Sequence, residues 1–97
     1  MKTPEYMRNV NLENIRKVCP EARKVDITLG DDATGDPAAY LTVWLDDSVI
    51  DDRIIRGEFK PLEDWLMAEI WHGSDHQRWP YLRLYRLREE QELAVRE

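Results

Sequence analysis

Cysteine is almost missing from this chain: Cys19 stands alone among 97 residues, which excludes an internal disulfide framework. No GxGxxG, P-loop or CxxC pattern occurs, so the common dinucleotide, phosphate and redox signatures are missing as well. Long apolar runs are also lacking. No segment approaches the roughly 20 apolar residues of a membrane span, and MKTPEYMRNV has no apolar core of a signal peptide. The expectation is a soluble, cytoplasmic protein with no membrane partner. Positive charge is in deficit, with 14 Lys plus Arg against 20 Asp plus Glu, and the net charge of −6 disfavours nucleic acid and anionic lipid. Basic residues do cluster at Arg16, Lys17, Arg23 and Lys24 and at Arg83, Arg86 and Arg88, where a solvated surface accounts for them.

The apolar content is ample. A hydrophobic fraction of 42%, with four Trp and four Tyr, is too rich for a disordered chain, and the length suits one hydrophobic core. The reading is a single domain over 1–97, with residues 1–10 and 89–97 loosely ordered. Asn11 is a good N-cap, Leu12, Ile15 and Cys19 share a helical face, and Pro20 bars continuation, which predicts a helix from Leu12 to Cys19. Cys19 then reads as a small buried hydrophobe.

Val25, Ile27 and Leu29 alternate with polar residues as a strand with one buried face does. Tyr40 to Leu45 alternates Leu41, Val43 and Leu45 with Tyr40, Thr42 and Trp44, so both faces of that strand carry apolar groups. Between them, Asp32-Ala33-Thr34-Gly35 has the residues of a type I turn, and the pair reads as a β-hairpin with an acidic tip. Ser48 and Asp51 form a capping box for a short helix ending at Gly57. Pro61 opens another helix, whose stripe is Leu62, Leu66 and Ile70 and whose flanks are Trp65 and Trp71, and Gly73 ends it. Tyr81 to Leu87 is a third strand, again two-faced, and Arg88 to Arg96 a final helix. The fold class is α+β, a two-layer sandwich in the order α-β-β-α-α-β-α with the helices on one face. The place of the third strand, beside the first or the second, stays open.

Asp31, Asp32 and Asp36 supply the hard oxygens that Ca²⁺ or Mg²⁺ requires, but the EF-hand spacing is absent and turn chemistry accounts for them. A second acidic group, Asp46, Asp47, Asp51 and Asp52, leaves the far end of strand two, about 26 Å away at 3.3 Å per residue, so the two groups cannot share an ion within one chain. His72 and His76 are zinc-type ligands around Asp75, yet Gly73 interrupts the helix that would align them. Glu69 lies near the apolar stripe and, if buried, needs a partner such as Arg83. No catalytic constellation is recognisable, and neither an enzymatic activity nor a cofactor or metal is expected. Tyr40, Trp44, Tyr81 and Tyr85, with Arg83 beside them, are the candidate interface or ligand-binding residues: should strands two and three share a sheet, they line the face opposite Leu41, Val43, Leu82 and Leu84.

LGDDATGDPAAYLTVWLDD and WPYLRLYRLREEQEL together resemble a pattern of small uncharacterised bacterial α+β proteins, carried on mobile gene cassettes or beside toxin and antitoxin genes. The motifs cover about a third of the chain and are structural, so the resemblance implies an accessory or interaction role and no reaction. The functional expectation is a small non-enzymatic interaction protein, a homo-oligomer (dimer or tetramer) built on the aromatic sheet face and accessory to a protein partner. The alternative is a small-molecule binder with an aromatic and arginine-lined pocket.

Overall fold

The computed structural model describes residues 4–89. A 3₁₀ turn, Glu5–Met7, leads into α1, Leu12–Val18, whose N-cap Asn11 accepts a hydrogen bond from the Asn14 amide at 2.9 Å. Two long strands follow, β1 at Ala22–Asp31 and β2 at Pro37–Leu45, then α2 at Asp51–Ile55 and α3 at Lys60–Leu66. Helix α3 widens into a π-helical segment, Met67–His72, before β3 at Trp79–Arg86. The expected final helix from Arg88 to Arg96 lies, beyond Glu89, outside the described residues.

The sheet has the order β1-β2-β3, with β1 antiparallel and β3 parallel to the central β2. That settles the placement the sequence leaves open. A parallel neighbour requires the chain to return to the strand's starting end, and 46–78 does so through α2, α3 and the π segment. The return path covers one sheet face. There Ala39, Leu41, Val43 and Leu45 of β2 meet Leu62, Leu66 and Ile70, every one of them at most 1% exposed. The predicted helical stripe is therefore the core, as the 3.6-residue period requires. Met7 and Val10 belong to the same cluster, so the first ten residues, expected to be loosely held, contribute core from Met7 onward.

Three local expectations need correction. Ser48 does not cap α2, whose N-cap is Ile50 with no side-chain bond: the Asp46 carboxylate accepts from both the Ser48 amide and its hydroxyl, closing a turn of its own. Strand β3 begins at Trp79 and includes Pro80, because an edge strand tolerates a residue without an N–H. Glu69 does not reach Arg83, since Arg83 pairs in register with Thr42 on the sheet face turned away from the helices.

Candidate functional site

The register of β2 and β3 decides what the second sheet face presents. Tyr40 sits opposite Tyr81, Thr42 opposite Arg83 and Trp44 opposite Tyr85, while on the other side β1 sets Thr28, Asp26 and Lys24 against the same three β2 residues. Side chains alternate across a strand, so this whole set faces away from the helices. The Tyr40 and Tyr81 rings stack at 5.3 Å with 16° between planes, and each residue keeps 39% of its surface exposed. Both hydroxyls reach toward the hairpin tip: Tyr40 donates to the Asp31 carbonyl at 2.9 Å and Tyr81 to Asp32 Oδ2 at 3.4 Å. Desolvation, and after it the Asp32 carboxylate, hold the Tyr81 hydroxyl above its ordinary range.

The five candidate residues thus lie on one face, as the alternation suggests, but they are not equally available. Trp44 is only 7% exposed, with Lys24 Nζ 4.9 Å from its ring centroid and no hydrogen-bond partner for Nε1 among the described residues. Tyr85 is half-buried; Arg83 is exposed and makes no hydrogen bond or ion pair among the described residues. The face therefore offers Tyr40, Tyr81, Arg83 and Asp26, with Trp44 as its base at one end.

The hairpin tip is built by its own acids. Asp32 Oδ1 accepts from the Thr34 amide at 2.9 Å, the Thr34 hydroxyl at 2.6 Å and the Asp36 amide at 3.0 Å, and the Gly35 amide closes the turn on the Asp32 carbonyl at 3.0 Å. Gly35 has φ 88, a left-handed position where a Cβ is costly. The Thr34 hydroxyl, then the Asp36 amide, hold the Asp32 carboxyl below its usual range. Among the described residues no three His, Cys, Asp or Glu side chains converge on a metal position. The second acidic group is committed to basic partners: Asp46 to Arg23 at 3.4 Å, Asp51 to Arg86 at 2.6 Å, Asp52 to Arg56 at 2.8 Å, and Asp47 to the Arg88 amide at 2.9 Å.

A second feature escapes sequence reading. Asp32, Asp36 and Pro37 at the hairpin tip face Trp71, His76, Gln77, Trp79 and Tyr81 across a cleft of about 590 Å³. Trp71 and Trp79 meet at 5.1 Å and 69°, Trp71 and His76 at 5.2 Å and 67°. The two histidines do come together, His72 Nδ1 lying 3.1 Å from His76 Nε2, but in a hydrogen bond with each other. Asp75 and His76 occupy consecutive left-handed positions, φ 57 and 61, which non-glycine residues adopt only when their surroundings enforce it. Here the His76 amide donates to the Trp71 carbonyl at 2.8 Å and the Ser74 hydroxyl accepts from the Arg78 amide at 2.9 Å.

Arg78 then fastens this loop to the rest of the molecule. Its Nη1 donates to the Ala38 carbonyl at 2.6 Å and the Gly30 carbonyl at 3.2 Å, and its Nε to the Tyr6 hydroxyl at 2.8 Å. No protein-family model, curated protein or solved structure matches this chain. The geometry above therefore stands where a relative's annotated site would. Arg78 carried no sequence signal, because two of its acceptors are main-chain carbonyls, which have no residue type to read, and the third, the Tyr6 hydroxyl, lies 72 positions away in the chain.

Proposed function

We propose that this chain is a non-enzymatic interaction module that pairs with a second copy of itself through the open sheet face, accessory to a protein partner as the motif resemblance suggests. The observation that carries the reading is one row of the sheet, Asp26–Thr42–Arg83, with an exposed acid on one side of the central strand and an exposed arginine on the other. A two-fold axis lying between two such sheets and running along β2 sets Asp26 of each copy over Arg83 of the other. It also sets Tyr40 of one copy over Tyr40 of the other and Tyr81 over Thr28, bringing to the seam the amphipathic aromatics that interfaces favour. The platform is three strands wide and about eight residues long, roughly 14 by 26 Å, which is below the standard size of a specific interface and in the range of weak, transient ones. The expected dimer is weak and reversible, with its dissociation constant sought within about 1–500 µM.

Sedimentation or native mass spectrometry across about 1–500 µM tests this, since the range brackets the expected constant. Arg83→Asp should leave monomer at concentrations where the native chain is dimeric, and the swap Asp26→Arg with Arg83→Asp should restore the dimer. A monomeric native chain throughout that range, or an Arg83→Asp variant of unchanged mass, overturns the reading. The same face also supports the small-molecule alternative, because Thr28, Tyr40, Leu41, Thr42, Tyr81 and Arg83 line a hollow of about 310 Å³ suited to a planar anion.

A further inference from the structure

The cleft between the hairpin tip and the loop 73–78 has a composition unlike the rest of the surface. Trp71, Trp79 and Tyr81 supply aromatic walls, the two indoles meeting nearly at right angles, and the opposite rim carries the carboxylates of Asp32 and Asp36. Among the described residues no lysine or arginine lines it. Aromatic faces attract cations through the ring quadrupole, and a nearby carboxylate adds its full charge, so walls and rim select for the same sign. At about 590 Å³ the cleft is far larger than a bare ion needs and falls within the range of small-molecule sites, about 300–1,000 Å³.

The state of the acids narrows the class further. Asp32 Oδ1 already accepts three hydrogen bonds from its own turn, its Oδ2 faces the Tyr81 hydroxyl, and Asp36 Oδ2 accepts from the Thr34 hydroxyl at 3.1 Å. The rim therefore offers negative charge, with Asp32 Oδ1 already committed to its own turn and Asp36 left as the more open acceptor. A bare ammonium, with three N–H donors to satisfy, finds acceptors only at the rim and none on the aromatic walls, whereas an alkylated ammonium has charge, apolar bulk and few or no donors and suits both. The turn bonds also keep Asp32 ionised at neutral pH.

The cleft is a built feature. Its walls come from three parts of the chain, and Arg78 ties the loop that carries His76 and Trp79 to the Gly30 and Ala38 carbonyls near the tip of the hairpin. The consecutive left-handed residues Asp75 and His76 turn the chain sharply enough to bring Trp79 back beside Trp71. Strain of this kind needs a surrounding structure that enforces it, and it clusters at binding sites.

We propose that this cleft binds a methylated ammonium group, through cation–π contact with Trp71, Trp79 and Tyr81 and charge pairing with Asp32 and Asp36. The site lies beyond the dimer reading and does not depend on it, although Tyr81 borders both surfaces. The group can be borne by a free small molecule or by a methylated lysine side chain, and two arms of one experiment separate these sources. The full chain, ¹⁵N-labelled, is titrated with choline in one arm and with a trimethyllysine peptide in the other, while the four indole N–H signals are followed. Potassium chloride at matched ionic strength is the control. Saturable shifts of two indole signals with either probe are expected, and the tighter probe names the source. Trp79→Ala, at a 41% exposed position, and Asp36→Asn, at an exposed turn, should each weaken binding by about tenfold with the fold intact by circular dichroism. The proposal is overturned if neither probe gives saturable shifts, if both variants bind as the native chain does, or if the unmethylated lysine peptide binds as tightly as the methylated one. Repeating the titration in the Arg83→Asp variant keeps the two readings apart, because Trp71, Trp79, Asp32 and Asp36 lie outside the dimer face and the cleft should still bind there.

Discussion

Gly73 shows how one missing side chain shapes the region around the cleft. Its φ is an ordinary right-handed one, so its conformation alone would accept alanine, and replacing a glycine at such a position commonly stabilises by about 0.4–1 kcal/mol through the unfolded chain. A Cβ built there, however, falls 2.1 Å from the Glu69 carbonyl oxygen and 3.1 Å from Tyr6 Cβ. The nearer atom is main chain and cannot swing aside, so overpacking decides the sign. Gly73→Ala should cost about 1–3 kcal/mol and lower Tm by roughly 4–8 °C for each of them, read by thermal unfolding. An unchanged or higher Tm would mean that the π segment relaxes without cost. Cys19 illustrates the opposite case, a residue whose type the sequence already explained: it is 2% exposed, and burial, followed by the Glu21 charge, pushes its thiol up, as a small apolar filler would have it.

At the scale of elements, the two ends of β2 are each closed by an aspartate that accepts from its own turn, Asp32 at the hairpin and Asp46 at the exit toward α2. The Thr34 hydroxyl chiefly lowers the Asp32 pKa and the Ser48 hydroxyl chiefly lowers that of Asp46, so each carboxyl is a stronger acid folded than unfolded. A depressed folded pKa means stability that is present above the unfolded pKa, about 3.9, and is lost as pH falls through the folded value. Urea midpoints measured between about pH 6 and pH 3 should therefore decline at the acid end, and the double variant Asp32→Asn, Asp46→Asn should be less stable near neutrality with a shallower acid decline. An identical slope in the variant would remove these turns as the cause. Asp32 and the hairpin were legible because Asp, Gly and strand alternation leave strong local marks. The Leu62, Leu66 and Ile70 stripe was legible for the same reason, since periodicity reports which face is buried. The exchange of Ser48 from helix cap to Asp46 turn was not, because both uses need the same residues within three positions and only the packing of Val49, fully buried, chooses between them. The cleft was illegible in a further sense. Its rim and walls are separated by about forty residues, and they meet only because β3 runs parallel to β2, a pairing that local pattern does not specify.

At the scale of the whole molecule, the question is what holds the N-terminal turn, the hairpin and the crossover loop to one another, since β3 is an edge strand reached by a long return path. Arg78 is the point where the three meet: it donates to Tyr6 in the first, to Gly30 and Ala38 in the second, and stands at the end of the third. An arginine suits this place because its fixed fork of N–H groups can serve acceptors in different directions, which a lysine ammonium on a flexible stem does less well. Hydrogen bonds from a charged, half-buried donor contribute about 1.5–3 kcal/mol, so Arg78→Leu should lower Tm by roughly 6–24 °C, with Arg78→Lys recovering only part of that. Tyr6→Phe alone should cost about 1 kcal/mol, and the decisive measurement is the double-mutant cycle. If Arg78 links the N-terminal turn to the hairpin, Tyr6→Phe becomes nearly neutral once Arg78 is gone, and the indole signals of Trp71 and Trp79 shift together in the Arg78 variant. Additive losses would mean that Tyr6 and Arg78 stabilise the molecule separately, and that Arg78 holds the loop through the Gly30 and Ala38 carbonyls without the N-terminal turn.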